Sequence, residues 1–306
     1  MVKGYMSNVN LVFFGTPEPA AEIFEYLRKA GFVPQLVVTN PDKLQGRKMI
    51  LTPSTVKLWA IANNIPFLQP KNLHDSSFAS TLHVTRYTLF IVVAYGGIIP
   101  KEILAIPKHG TLNVHYSLLP KYRGASPIES QILNDDKNVG ISIMLLDEKM
   151  DHGPVLAQQK LDNLSGSARS RVAGQLKTYN LHWPPTATAL RMACNDAASK
   201  LLVKTIPEWI NGEIKPQPQD ETQATYTHKI TAEDRHIDFG DDGYKNFLKI
   251  QAFAARGTYF FVERNNKKIR VLIKDAEFRD GELIIKRVVP EGKKEMSYKD
   301  FLRGNQ

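Results

Sequence analysis

The chain has 306 residues, more than one ordinary domain needs, so two domains are expected. A composition of 42% hydrophobic and 23% charged residues excludes a disordered chain and supplies a packed core. The net charge of +9 suits a polyanionic partner such as nucleic acid, and the single cysteine, Cys194, excludes an internal disulfide or a thiolate metal cluster and points to a reducing cytoplasm.

The first residues lack the apolar core of a signal peptide, and the run Leu89 to Ala94 is too short to cross a bilayer, so no membrane association is expected. Asn10 to Phe14 reads as a short apolar strand stopping at Gly15-Thr16-Pro17, and Glu18 to Ala30 as a helix closed by Gly31. Val33 to Thr39 predicts a second strand and Pro53 to Asn64 a second helix. Tyr87 to Tyr95, nearly all apolar, reads as a central strand covered on both faces. Thr111 to His115 and Val139 to Leu146 follow as strands, with a helix over Pro127 to Asn134 between them. This alternation predicts a doubly wound α/β domain with a mostly parallel sheet.

Residues Ser165 to Pro185 show no periodicity and are expected to be a loop without chemistry. A helix is predicted from about Thr188 to Asn211, ending at Gly212, and a Pro-rich polar linker follows. Beyond it Thr258 to Glu263, Ile269 to Ala276 and Glu282 to Val288 read as antiparallel strands, Arg279-Asp280-Gly281 being a hairpin signal. A small β-barrel is the expected architecture, an OB-like barrel being one option. The division is therefore 1–212, linker 213–224, and 225–306.

The chemistry-bearing stretch is Gly110 to Pro127. Asn113 and His115 lie two apart in a strand and project from one face. The C-terminal edge of an open α/β sheet is where ligands bind. Downstream, Asp151 sits in a turn closed by Gly153, and a neighbouring parallel strand would bring that turn to the first site. Asn, His and Asp together polarise a carbonyl and move a proton without a metal. An Asn-x-His pair alone is usually a polar pair at a strand end, and a lone Asp usually a turn residue. His109, His115 and His152 show no zinc-ligand spacing, and no metal is expected.

The run NVHYSLLPKYRGASPI, with MDHG downstream and FFGTPEPA at the start, resembles the folate-dependent formyltransferase family. The resemblance implies a Rossmann-like formyltransferase domain followed by an OB-like β-barrel, with 10-formyltetrahydrofolate as formyl donor and the α-amine of initiator methionyl-tRNA as acceptor; a cytoplasmic location is expected from the cysteine content, and a monomer is expected. It makes Asn113, His115 and Asp151 catalytic. Ser117, Leu118, Leu119 and Pro120 would line the donor pocket, together with the main chain of Ala94, Tyr95, Gly96, Gly97 and Ile98. Lys43, Arg47 and Lys48, in a basic loop, and Arg123 are expected to contact tRNA; the loop's bland alternative is a surface turn. Ala252 to Phe261 departs from the family, which usually has a Pro-Trp-Pro-Gly-rich turn there. A sugar-nucleotide N-formyltransferase and a non-catalytic RNA-binding protein remain the competing readings.

Overall fold

The computed structural model describes residues 9–46, 48–161, 164, 167–172, 175–264 and 266–304. In chain order the elements are β1 (Leu11–Gly15), α1 (Glu18–Lys29), β2 (Leu36–Val38), β3 (Lys43–Gln45), β4 (Ile50–Thr52), α2 (Thr55–Ala62), β5 (Phe67–Leu68), α3 (Ser76–His83) and β6 (Leu89–Val93). Then come α4 (Lys101–Leu104), β7 (Thr111–His115), β8 (Arg123–Gly124), α5 (Pro127–Leu133), β9 (Gly140–Leu145), β10 (Val155–Lys160), β11 (Ser167–Val172), β12 (Gln175–Asn180) and α6 (Ala187–Ile210). The chain ends with β13 (Tyr226–Thr227), α7 (Gly243–Ala252), β14 (Thr258–Arg264), β15 (Lys267–Arg279), β16 (Glu282–Pro290), β17 (Met296–Ser297) and α8 (Tyr298–Arg303). Among the described residues no helix is long and apolar enough to cross a membrane.

Two compact units emerge, and they interleave along the sequence instead of following one another. The first holds 1–123, 140–161 and 194–226; the second holds 124–139, 162–193 and 227–306. The segment 124–139 joins the second unit because α5 packs against α7 there, and Tyr244 donates a hydrogen bond to Asp135 at 3.0 Å. In the same unit Arg191 pairs with Glu129 at 3.0 Å.

The first unit is built on a seven-stranded sheet in the order β10-β9-β7-β6-β1-β2-β5. Strands β7, β6, β1, β2 and β5 run parallel. Their sequences are almost wholly apolar because both faces are covered: β1 and β6 are buried at every position. Phe14, Phe90, Val12 and Val38 anchor one core cluster, into which Phe78 and Leu82 of α3 insert. Each such side chain removed from water contributes about 1.5–3 kcal/mol before entropy is charged.

The expectation of parallel neighbours fails at the site itself. Strand β9 runs antiparallel to β7, pairing His115 with Ser142 and Leu112 with Leu145, and β10 runs antiparallel to β9. Only a short connection joins β9 to β10, and a hairpin of that kind needs antiparallel strands.

Helix α1 carries a pH-sensitive brace. Glu25 accepts from Arg28 at 2.9 Å and from the Trp59 indole at 3.0 Å, and these bonds, Arg28 first, lower its carboxyl from 4.5 to about 2 against the opposing effect of burial. A depressed carboxyl contributes stability that is complete above the unfolded value of 4.5 and is lost as pH falls through about 2. Glu25→Gln is therefore expected to flatten the dependence of unfolding free energy on pH between those limits, measured by urea titration; an unchanged acid limb would refute the brace.

In the second unit, β14-β15-β16-β17 form an antiparallel sheet. Its core gathers Phe260, Val271, Ile273, Val288 and Phe301. The sheet is open: among the described residues β14 and β17 do not pair, so the expected barrel is a four-stranded sheet with α7 and α8 packed on it. The Asp280-Gly281 hairpin is as expected, both residues taking positive φ (54° and 83°) as a tight two-residue turn demands. Gly257 takes φ 75° and its N–H bonds Phe253 O at 2.7 Å, closing α7 without the family's prolines.

Residues 165–185 contain more than the expected loop. β11 and β12 pair antiparallel from Ser167↔Asn180 to Val172↔Gln175. Polar sequence gave no period-two signal there, and backbone pairing supplies the order instead. The basic loop is likewise a hairpin, β3 pairing with β4 from Lys43↔Thr52 to Gln45↔Ile50.

Candidate active site

On one face of strand β7, beyond buried Thr111, stand Asn113, half-buried, and His115, 4% exposed, while Leu112 and Val114 face the opposite core. His115 Nε2 lies 2.8 Å from the Tyr122 carbonyl. A carbonyl only accepts, so Nε2 carries the hydrogen and Nδ1 is left for chemistry. Nδ1 faces Asp151, with Oδ2 3.6 Å away. Asp151 Oδ1 is 3.5 Å from Asn113 Nδ2. The three predicted residues thus converge, with a largely buried carboxylate (side chain 14% exposed) between imidazole and carboxamide.

The convergence depends on backbone conformations that L-residues seldom adopt. Asp151 has φ 48° and Tyr122 φ 60°. Asp tolerates the left-handed region better than most residues, and Tyr122 is held there by its N–H bond to Thr225 Oγ1 at 2.8 Å. Gly153 is obligatory: a Cβ there would lie 1.9 Å from Leu145 O. Through that glycine the connection from β9 to β10 doubles back across the sheet edge, which is how an antiparallel β9 still delivers Asp151 to His115.

Residues 117–120 form a second wall. Ser142 Oγ donates to Ser117 O at 2.6 Å and accepts from Leu119 N at 3.0 Å, while Gln158 Nε2 donates to Leu119 O at 2.8 Å. Ser117 and Leu119 are buried, so they back the wall; Leu118 and Pro120 are the members with exposed surface. The Ser117 hydroxyl is spent on Lys121 O at 2.6 Å.

A third cluster ties the loops after β1, β2 and β6. Thr16 Oγ1 and Asn40 Nδ2 both donate to Tyr95 O, at 3.0 and 2.7 Å. Ala94 takes φ 46° and Gly96 φ 81°, turning the chain so that Ala94, Gly96, Gly97 and Ile98 are exposed. Tyr95 is the exception, 3% exposed and edge-on to Phe14, and burial pushes its phenol up to about 12. Neither Thr16 nor Asn40 carried a role in the sequence; their side chains hold this loop.

The predicted cations divide. Lys43 and Lys48 are exposed on the β3–β4 hairpin, alongside exposed Leu44, Met49, Ile50 and Leu51. Arg47 lies outside the described residues. Asp42 anchors the hairpin's base, accepting from Gln69 at 2.8 Å and Lys57 at 2.7 Å; these bonds, Gln69 first, hold its carboxyl below the usual range. Arg123 must be corrected. It is 1% exposed, and its guanidinium is used by Gln219, Glu221 and Tyr226, leaving no surface for a phosphate.

Residues 8–188 match the sequence profile described as formyl transferase. A methionyl-tRNA formyltransferase of Halalkalibacterium halodurans is 32% identical over 97% of this chain and 95% of its own length. Another, from Chloroflexus aurantiacus, is 41% identical over 76% of this chain and 69% of its own. Among solved structures, a methionyl-tRNA formyltransferase from Clostridium thermocellum shares the fold, with a TM-score of 0.57 and 17% identity over 92% of this chain and 98% of that one. On the profile match and the Halalkalibacterium relative, this chain belongs to the formyl transferase family.

Proposed function

We propose that the protein transfers the formyl group of 10-formyltetrahydrofolate to the α-amine of initiator methionyl-tRNA in the cytoplasm. The observation that carries the chemistry is the convergence of Asn113, His115 and Asp151 at one sheet edge. Asn113 Nδ2–H donates to the formyl oxygen as it gains negative charge under attack by the neutral amine, and His115 donates through Nδ1 once a proton relayed by Asp151 gives the ring its second N–H. Asp151 accepts the proton the amine loses, directly or through water. The C–N bond to the folate then breaks, and that nitrogen leaves with a proton. Leu118, Pro120, Gly96, Gly97 and Ile98 offer the exposed surface for the folate rings.

The acceptor is supported by the names of the two relatives and by surface chemistry. The β3–β4 hairpin combines cations for phosphates with apolar groups for bases. On the C-terminal sheet, Lys268 Nζ sits 4.3 Å from the ring centroid of exposed Phe261, beside Arg270, which is paired with Phe261 across the strands. Interleaved cations and aromatic rings suit RNA.

Transfer of labelled formyl to methionyl-tRNA, with none to an amino-sugar nucleotide, is the expected result. Transfer to the sugar alone would overturn the acceptor, and transfer to neither would overturn the chemistry.

A further inference from the structure

The segment 213–224, which its composition marks as a linker, is pinned along its length to the first unit. Gln217 exchanges both backbone hydrogen bonds with Val155 at 2.8 Å. Two residues on, Gln219 Nε2 donates to Asp151 O at 2.9 Å and to Gly153 O at 2.7 Å, so both amide hydrogens hold the turn that presents the Asp151 carboxylate. Its Oε1 accepts from Arg123 Nε at 3.0 Å. That bond fixes the amide's orientation, because a flipped amide would set its oxygen against two carbonyls and its NH₂ against a guanidinium. Arg123 is braced in turn: its two terminal nitrogens grip Glu221 at 3.0 and 2.7 Å. The pairing raises the guanidinium further above its ordinary value and holds the Glu221 carboxyl below its own.

We propose that Gln219 is a positioning residue for formyl transfer, its carboxamide holding Asp151 in register with His115 under the control of the buried Arg123. The proposal rests on the catalytic reading of Asp151 given above. A side chain at φ 48° is there because its surroundings hold it. Its contacts to His115 and Asn113, at 3.6 and 3.5 Å, are already at the limit of hydrogen bonding. Relaxation of the turn by less than 1 Å would therefore uncouple it, and a displacement on the order of 1 Å costs about 10²-fold in rate.

The test is a double-mutant cycle on the full chain, reading kcat, both KM values and thermal midpoint. Gln219→Glu is the isosteric variant: it keeps the acceptor for Arg123 and removes both donors. Gln219→Ala removes the whole clamp. Each is expected to lower kcat by about 10- to 100-fold with KM for folate and tRNA held within about twofold. Introduced into Asp151→Asn, either is expected to lower kcat by no more than about twofold, because the group being positioned is gone. Equal losses in both backgrounds would show a structural role and overturn the proposal, as would unchanged kcat in the Gln219 variants beside a slow Asp151→Asn. Full activity in Asp151→Asn would instead overturn the catalytic reading itself, and the positioning role with it. Where Gln219→Ala fails to fold, the isosteric Gln219→Glu decides.

Discussion

Asp151→Asn is expected to lower kcat for formyl transfer by about 10²–10⁴-fold, the span of a lost general base, with KM for both substrates little changed. The substitution removes the charge and little else. Asparagine is isosteric and tolerates the left-handed conformation that Asp151 adopts at φ 48°. The Oδ1 contact to Asn113 Nδ2 can persist, and so can the backbone bonds from Gln219. What is lost is the carboxylate 3.6 Å from His115 Nδ1, the one nitrogen of that ring free for chemistry once Nε2 is committed to Tyr122 O. Alanine would be a poorer test, because it adds backbone strain at positive φ to the chemical loss. Steady-state kinetics with an unchanged thermal midpoint would establish the effect. A rate within about tenfold of the parent would mean that the amine's proton leaves by another route.

That same site shows what could and could not be read in the residues alone. Asn113 and His115 were visible because strand periodicity puts alternate residues on one face, and the apolar content of β1 and β6 announced a sheet buried on both sides. The direction of β9 was not visible. Its run from Gly140 to Leu145 is as apolar as the parallel strands, and nothing in such a run states which way it pairs. Ser117 and Leu119 were expected to line a pocket, yet their polar backbone is consumed by Ser142 and Gln158, residues without a motif of their own. Arg123 misled for a different reason. The family resemblance made it a tRNA contact, whereas its bidentate carboxylate lies 98 residues away in a segment whose prolines suggest a spacer. Long-range pairs of this kind leave no local signature. The hairpin at 43–52 sits between these cases: its turn residues were legible, while the pairing of its flanks and its exposed apolar side chains were not.

The second large effect expected is at Gly153, where geometry leaves no alternative residue. A Cβ built there falls 1.9 Å from Leu145 O, 3.0 Å from Leu145 C and 3.4 Å from Asp147 N, all backbone atoms. Leu145 cannot withdraw, since it belongs to β9, is paired with Leu112 of β7, and donates its N–H to Pro154 O at 2.9 Å. The turn carrying Asp151 must move instead. Gly153→Ala is therefore expected to cost on the order of 1–3 kcal/mol in stability, as forced repacking of a close contact does, and to reduce kcat by about 10²-fold or more as Asp151 leaves His115. The control is Gly212→Ala. That glycine ends α6 at φ 75° with nothing within 4 Å of a built Cβ, so it meets strain without a clash. It should lose about 1–2 kcal/mol and keep its kcat. Comparing the two variants by urea denaturation and by steady-state rate separates a loss of stability, which both suffer, Gly212→Ala by strain and Gly153→Ala by clash, from displacement of the catalytic turn, which only Gly153→Ala suffers. Parallel losses of kcat in both would show that global softening, and not the register of Asp151 with His115, sets the rate.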